Sequence, residues 1–332
     1  MAVVTGLAAL GRAGLHVGRH GFGGAPLGGL YEEVSERQAE ECLAAAWEGG
    51  LRYFDTAPHY GAGLSERRIG RFLAGQPRHS WVLSTKVGRI IEAVAPAEAD
   101  DAGFAGEAAS RRVFDFSRDG VLRSFEASMA RLGVDHVDIL YLHDPDDHWR
   151  EAIDEAWPAL DELRRQGVVR SVGAGMNQTA MLTRFVRETD MDVVLMAGRY
   201  TLLDQQALDD LLPACLERKT SLVLGGVFNS GVLAGPSSDS TFDYKPAPVA
   251  VLARARRIAD VCARHGIAVG AAALQFPLAH PAVTTVLLGS RSVAELRQNL
   301  ALGAVPIPSQ LWLDLKAEGL LPDGAPVPDG AA

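Results

Sequence analysis

The chain has little cysteine, no long apolar run and no excess of basic residues. Its 332 residues include only three cysteines, Cys42, Cys215 and Cys262. Because they are far apart and form no CxxC pair, we expect buried thiols rather than a disulfide framework or a metal site. No apolar run reaches the roughly 18 residues that a membrane helix needs, and the N-terminus lacks the layout of a signal peptide. The protein is therefore predicted to be cytoplasmic.

The charge balance is acidic. The formal net charge is −9, from 32 basic and 41 acidic residues, which argues against a nucleic-acid partner or an anionic membrane surface. Hydrophobic residues make up 48% of the chain, enough for a full globular core. We expect a small molecule as the partner, and the oligomeric state is left open.

Apolar β-branched runs alternate with amphipathic stretches along most of the chain. Such alternation predicts a parallel sheet with right-handed crossovers. Eight repeats predict an α/β protein with a (β/α)8 TIM barrel, as a single domain over 1–332 with a core at about 15–301 and a C-terminal tail at 302–332. The predicted strands are 17–22, 51–55, 81–86, 136–142, 168–173, 192–196, 220–225 and 283–288. The predicted helices are 36–49, 64–74, 118–132, 150–166, 178–188, 205–218, 248–265 and 292–301.

Two long connections interrupt this rhythm. Residues 88–117 follow the third predicted strand, and residues 226–247 follow the seventh. Connections of this length in a compact domain are usually functional, so we expect both to lie over the mouth of the barrel. The tail carries one apolar patch at 311–313, which either folds over the same mouth or packs on a helix.

Four residues suited to proton transfer, Asp55, Tyr60, Lys86 and His143, lie at the end of an apolar run or just past one. The ends of barrel strands carry the chemistry of this architecture. A tyrosine has a pKa of about 10, a nearby ammonium favours its phenolate, and a carboxylate keeps that ammonium charged. Tyr60 is therefore predicted to exchange a proton with a carbonyl or an alcohol, while His143 orients the substrate. Each residue alone has an ordinary structural interpretation, but the set predicts a catalytic site that needs a hydride carrier.

The segments around these four residues resemble the aldo-keto reductase family. Residues 50–57 (GLRYFDTA), with 60–61 and 65–66, are similar to its first signature, 84–87 (STKV) to its lysine strand and 138–143 (DILYLH) to its histidine strand. The likeness covers about residues 15–301. It implies that the tyrosine is the general acid/base of the four catalytic residues. It also implies NAD(P)H bound across the barrel mouth without a GxGxxG fingerprint, and the chain has none after a strand.

The resemblance further implies a set of cofactor-binding residues. Asn177 matches the asparagine that holds the nicotinamide carboxamide, Tyr200 is expected near the nicotinamide, and glycines of the loop after strand seven let the backbone approach phosphate. The expected set is Gly23, Asn177, Tyr200, Gly225, Phe228, Asn229, Ser230, Gly231, Gly289, Ser290, Arg291, Glu295, Gln298 and Asn299. For the substrate wall we expect Phe22, His59, Trp149 and the 88–117 connection, with plain packing as an equal alternative for Trp149.

The chain departs from the common family pattern in ways that bear on the substrate. Met176 stands where many members have a serine, residues 195–198 (LMAG) replace a run ending in glutamine, and Gly225 stands where many stack a tyrosine on the nicotinamide. These departures resemble the branch that includes L-fucose and D-threo-aldose dehydrogenases. They imply oxidation of an aldose at C1 to the lactone. Pyridoxal 4-dehydrogenases look much the same, and a general NADPH-dependent aldehyde or ketone reductase also stays open.

The cofactor and the protein class have their own alternatives. Glu295 stands where NADP-preferring members often have arginine, and its carboxylate would repel a 2′-phosphate, whereas Arg291 would attract one. We therefore expect NAD, with NADP tolerated. A non-catalytic binding module and a phosphate-sugar isomerase use the same barrel. Turnover would exclude the binding module, and absence of cofactor binding would point to the isomerase.

Overall fold

Eight parallel strands form a closed barrel in the computed structural model, which describes residues 6–100, 102–106, 108–243 and 245–329. Each strand pairs in parallel with the next in chain order, and the eighth pairs with the first. The strands are His20–Gly23, Tyr53–Asp55, Val82–Val87, Ile139–His143, Ser171–Met176, Val193–Ala197, Ser221–Gly225 and Val283–Gly289. The predicted (β/α)8 TIM barrel is confirmed, with all eight predicted strands displaced by at most a few residues.

Helices surround the barrel, and local sequence signals define their ends. Ser35 caps the first helix through a capping box with Gln38, and Gly49 ends that helix. Helix Val269–Gln275 was not predicted, because its small buried residues lack a polar face. The α-helices are Glu36–Glu48, Leu64–Leu73, Arg118–Leu132, Trp149–Glu151, Trp157–Arg165, Thr179–Glu188, Leu211–Arg218, Val249–Arg264, Val269–Gln275, Val293–Gly303 and Ser309–Ala317, with a π-helical turn at Ala152–Ala156.

A hairpin closes the N-terminal end of the barrel. Strands Leu7–Leu10 and Leu15–Gly18 pair antiparallel, and the side chains of Leu10, Leu15 and Val17 join the apolar cluster inside the barrel. The predicted strand 17–22 therefore merged the end of this hairpin with the first barrel strand. Only Arg19 separates the two strands, so the sequence shows one continuous run.

Both long connections contain short antiparallel pairs. Residues 88–117 form the hairpin Arg89–Ala93 and Ser110–Phe114, which pairs with itself rather than with a barrel strand among the described residues. Residues 226–247 contain the pair Thr241–Phe242 and Lys245–Pro246. Both follow the strands from which they were predicted to extend.

The tail packs on a helix, which was the second of its two predicted positions. Helix Ser309–Ala317 contacts Val249–Arg264, and Trp312 is fully buried with its ring 6.3 Å from that of Phe276. Within the described part of the chain, no helix has the length and apolar character needed to cross a membrane.

Candidate active site

Three of the four predicted catalytic residues are in direct contact at the mouth of the barrel. Lys86 Nζ donates to Asp55 Oδ2 at 2.7 Å and to the hydroxyl of Tyr60 at 2.9 Å. It also donates to the carbonyl of Thr56 at 3.0 Å. Asp55 ends the second strand, Lys86 lies near the end of the third, and Tyr60 lies in the turn after the second. The ammonium therefore has three oxygen partners and is held between the carboxylate and the phenol.

Two glycines place Tyr60 at this position. A Cβ on Gly28 would lie 2.6 Å from the carbonyl carbon of Tyr60, and a Cβ on Gly61 would lie 2.2 Å from the carbonyl oxygen of Gly28. Gly61 also has a φ of 62°. The loops after the first two strands thus approach each other more closely than side-chain-bearing residues permit.

Burial and neighbouring charge act in opposite directions on this cluster. Burial alone would lower the pKa of Lys86, but Asp55 and Tyr60 raise it well above its ordinary value. Burial raises the pKa of the Tyr60 phenol, and the opposing effect of the Lys86 ammonium reduces that rise. At neutral pH the cluster therefore holds a charged ammonium beside a protonated phenol.

A chain of buried hydroxyls supports Asp55 from inside the barrel. Ser84 Oγ donates to Asp55 Oδ1 at 2.6 Å, the hydroxyl of Tyr53 lies 3.0 Å from Ser84 Oγ, and that of Tyr141 lies 3.3 Å from Tyr53. Both carboxylate oxygens of Asp55 are thereby engaged, one by Lys86 and one by Ser84. This chain was not predicted, although Ser84 lies two residues before Lys86 on the same strand.

His143, at the end of the fourth strand, completes the set without contacting the lysine. Its ring centroid lies 5.9 Å from that of Tyr60 and 5.7 Å from that of His59. Burial lowers the pKa of His143 well below its ordinary value, and Arg89 and Lys86 act in the same direction. Burial also lowers the pKa of His59 to about 3. Both imidazoles are therefore neutral at pH 7, and each can donate or accept a hydrogen bond at the mouth.

Two cavities meet at Tyr60. A groove of about 750 Å³ extends from Asp55 and Tyr60 to the end of the eighth strand, and a pocket of about 390 Å³ lies on the other side of Tyr60. The predicted cofactor residues that line the groove are Gly23, Asn177, Gly225, Phe228, Ser230, Gly231, Gly289, Arg291, Glu295, Gln298 and Asn299. His59, Lys86 and His143 line the pocket. The phenol thus lies where an elongated ligand and a compact one would meet.

Three of the predicted cofactor residues do not line the groove. Tyr200 lies in the core, fully buried, with its ring 5.3 Å from that of Phe276 and 5.6 Å from that of His280. Asn229 supports the loop instead, accepting from the hydroxyl of Thr201 and donating to the carbonyl of Gly198. Ser290 is buried beneath the groove and accepts from the amide of Asn299. Asn229 and Ser290 nevertheless support the backbone segments that line the groove.

Two of the three predicted substrate residues lie elsewhere. Phe22 faces the helices and packs against Phe54, with centroids 5.9 Å apart, because the neighbouring Gly21 is the residue that faces the barrel interior. Trp149 packs on Phe185 at 4.8 Å and beneath the guanidinium of Arg184, which agrees with its packing alternative. Of the three, only His59 lines the pocket.

The pocket contains side chains that the sequence did not single out. Phe104 lies edge-on to His59, with centroids 5.2 Å apart, and Arg89 forms an ion pair with Asp144. Arg89 and Phe104 belong to the 88–117 connection, which was predicted to line the pocket as a whole. Asp144 directly follows His143, and this adjacency was the available signal.

Comparison with known proteins places the chain in a known family. Residues 20–317 match the model of the aldo/keto reductase family. The chain is 43% identical to a D-threo-aldose 1-dehydrogenase of Pseudomonas sp, over 93% of this chain and 96% of that protein. It is 41% identical to a pyridoxal 4-dehydrogenase of Microbacterium luteolum, over 94% and 97%. The solved structure of an aldo-keto reductase from Bacillus halodurans in its holo form superimposes with a TM-score of 0.72 at 25% identity, covering 97% of this chain and 98% of that one. The chain belongs to the aldo/keto reductase family.

Proposed function

We propose that the protein is an NAD(P)-dependent dehydrogenase that oxidises the cyclic form of an aldose at C1 to a lactone. The observation that carries this proposal is the Tyr60 hydroxyl, 2.9 Å from a buried ammonium, at the junction of the groove and the pocket. The name of the 43% identical relative, D-threo-aldose 1-dehydrogenase, supports the reaction type. We also propose the cytoplasm as its location.

The residues of the groove fit a dinucleotide. Gly225 meets only van der Waals neighbours at the position of a Cβ, and Gly231 meets nothing within 4 Å. The backbone can therefore approach an elongated phosphate-bearing ligand on this side. Asn177 would hold the carboxamide end and the 289–299 segment the adenosine end. When bound, a nicotinamide cofactor supplies the acceptor for the hydride.

NAD is the favoured dinucleotide, because two carboxylates surround the arginine of the adenosine end. Arg291 Nη2 lies 2.7 Å from Glu295 Oε1, and Arg291 Nη1 lies 3.0 Å from Glu32 Oε1. A 2′-phosphate would have to compete with both carboxylates for the guanidinium. A 2′-hydroxyl could instead donate to one of them.

Each residue near the phenol has a defined role in the proposed reaction. Tyr60 takes the proton of the anomeric hydroxyl and returns one in the reverse direction. Lys86 stabilises the phenolate that this transfer needs, and Asp55 keeps Lys86 charged and in place. His143, neutral at pH 7, donates a hydrogen bond to the anomeric oxygen and orients it toward Tyr60.

Oxidation of a cyclic hemiacetal also explains the likeness to a pyridoxal 4-dehydrogenase. Pyridoxal has an aldehyde beside a hydroxymethyl group, so it too can close to a cyclic hemiacetal whose oxidation gives a lactone. Pyridoxal is therefore the second candidate substrate. The ring-bearing side chains of His59 and Phe104 would contact either molecule.

The test is absorbance at the reduced-nicotinamide band. NAD and NADP are supplied separately with L-fucose, D-arabinose, L-galactose, pyridoxal and a plain aromatic alcohol. Tyr60→Phe removes the proposed acid/base. Tyr200→Phe is its matched control, because Tyr200 lies in the core and its hydroxyl has no partner among the described residues. Turnover of a sugar that is lost in Tyr60→Phe and kept in Tyr200→Phe supports the proposal. Turnover confined to pyridoxal favours the second candidate, and turnover of the aromatic alcohol alone refutes both.

A further inference from the structure

The wall of the substrate pocket opposite the groove carries a charged pair. Arg89 begins the hairpin over the mouth, and its guanidinium contacts the carboxylate of Asp144, which follows the fourth strand. Both side chains are mostly buried, with 14% and 25% of their surface exposed. The two residues line the 390 Å³ pocket together with Tyr60 and His143, so the pair and the candidate catalytic groups face the same space.

The backbone holds Asp144 in place. Its φ is 46°, in the left-handed region that a non-glycine residue rarely occupies. Its amide donates to the carbonyl of Gly175 at 3.0 Å on the neighbouring strand. The guanidinium of Arg89 also packs on the ring of Phe114, with its central carbon 4.9 Å from the ring centre. Both charged groups are therefore fixed before a substrate arrives.

The other walls of the pocket offer few polar partners to a substrate. Beyond the residues assigned to catalysis and the cofactor, Tyr31 and His59 add two uncharged polar groups, and the rest of the lining is largely apolar, from Leu30, Phe104, Met176 and Leu195. A sugar brings several hydroxyls, and each needs a partner once it leaves water. A carboxylate accepts hydrogen bonds, while an adjacent guanidinium donates them. An Arg–Asp pair at one wall can therefore bind two neighbouring hydroxyls of a ring at once.

We propose that Arg89 and Asp144 determine substrate specificity by binding the ring hydroxyls of the sugar, with Asp144 accepting from one hydroxyl and Arg89 donating to its neighbour. This inference rests on the proposed aldose dehydrogenase function. A competing role exists, because Asp144 Oδ2 lies 3.7 Å from Nε2 of His143 and could act on the reaction only by positioning that imidazole. The two roles differ in what they do to a substrate without ring hydroxyls.

The experiment compares two substrates that react at the same kind of group, the hemiacetal carbon of a ring. One is the aldose on which the wild type is most active. The other is 2-hydroxytetrahydropyran, a cyclic hemiacetal without further hydroxyls. In Asp144→Asn, kcat/KM for the aldose should fall by about 10- to 100-fold, the range expected for lost hydrogen bonds to a charged group. The loss for 2-hydroxytetrahydropyran should be at most about threefold, because that molecule makes no such bonds. Equal losses on both substrates would overturn the inference in favour of the positioning role.

Two further variants guard against trivial outcomes. Asp144→Asn leaves the Arg89 guanidinium buried without a carboxylate partner. The double variant Arg89→Gln/Asp144→Asn removes both charges and so avoids an unpaired one. Thermal unfolding checks that each protein is folded. The double variant should show the same selective loss on the aldose, and an unchanged ratio of the two kcat/KM values would overturn the inference. Asp147→Asn is the matched control, because Asp147 is exposed and lines a neighbouring cavity but not the substrate pocket, and its ratio should equal that of the wild type.

The wild type itself separates this inference from the function on which it rests. If the wild type oxidises 2-hydroxytetrahydropyran as well as any aldose, hemiacetal oxidation stands and hydroxyl recognition by this pair is refuted. If it oxidises neither, the proposed function fails, and the inference fails with it.

Discussion

Replacing Asp55 with asparagine tests the proposed origin of the reactivity of Tyr60. The carboxylate of Asp55 and the ammonium of Lys86 are almost fully buried, with 3% and 2% of their side chains exposed, and their atoms lie 2.7 Å apart. Asparagine keeps the size of the side chain and can still accept from Lys86, but it removes the negative charge. The lowering effect of burial on the pKa of Lys86 is then opposed by Tyr60 without the help of the carboxylate, so the pKa of Lys86 falls.

The structure sets the size of the expected effect. Breaking a buried ion pair costs about 3–5 kcal/mol of unfolding free energy. Hydrogen bonds to charged groups contribute about 1.5–3 kcal/mol, so weaker support of the phenolate by Lys86 should lower kcat/KM for oxidation by about 10- to 150-fold. The pH profile should change as well. In the wild type, kcat/KM for oxidation should rise up to about pH 10, because the pKa of Tyr60 and that of Lys86 are both raised above their ordinary values. In the variant this rise should flatten or reverse, because Lys86 now loses its proton within the measured range.

The assay is kcat/KM from pH 6 to 10 in both reaction directions, with Asp138→Asn as the matched control. Asp138 is also a buried carboxylate, paired with Arg78 at 2.8 Å, but it precedes the fourth strand at the opposite end of the barrel. The control should lose stability and keep its pH profile. A loss below threefold in Asp55→Asn with an unchanged alkaline limb would refute the role assigned to the carboxylate.

Three further predictions concern the cofactor, acid stability and packing. Glu295→Gln, and separately Glu32→Gln, should raise kcat/KM with NADP relative to NAD by only about two- to fivefold, since each exposed pair with Arg291 is weak. Glu33→Gln is the control, and no change in the ratio for Glu295→Gln or Glu32→Gln would contradict the assignment. Burial lowers the pKa of His20 to about 4, so its stability contribution is present above its ordinary pKa of about 6.5 and lost as pH falls toward 4. Between pH 7 and pH 5 this loss should lower the unfolding free energy of the wild type by about 2 kcal/mol. Denaturant titrations of His20→Asn should lack this part of the pH dependence. Gly70→Ala should lower the unfolding free energy by about 1–3 kcal/mol, because the new Cβ would lie 1.8 Å from the carbonyl oxygen of Leu132. Gly75→Ala should be nearly neutral, because its Cβ would lie 3.5 Å from the nearest atom. Equal unfolding midpoints for the two variants would contradict this prediction.

The barrel and the central contacts of the site were predictable because both depend on periodic signals. The strands appear as short apolar runs between helices, and Asp55, Lys86 and His143 each end one. Parallel strands bring such ends to one edge, so sequence order alone predicts their proximity. The contact of Lys86 with Asp55 and Tyr60 agrees with that expectation.

Side-chain direction and long-range packing were not predictable in the same way. Phe22 stands among glycines in GFGG, where no polar neighbour shows which face is buried. Tyr200 follows Gly198, whose φ of 72° redirects the chain after the sixth strand, and its aromatic partners lie some 75–80 residues later at Phe276 and His280. The link between Arg89 and Asp144 spans 55 positions, and one sequence gives no means of pairing such residues.

The hairpin over the mouth has a consequence for how this barrel can diverge. Its two strands bond to each other and, in the described part of the chain, to no barrel strand. The barrel register is thus independent of the pairing within this hairpin, whereas Arg89, one of the two charged residues proposed to bind the sugar hydroxyls, belongs to it. If the proposed role of the pair holds, a hairpin transplanted between relatives would bring its own residue at the position of Arg89, while Asp144 and the proton-transfer groups remain those of the recipient barrel.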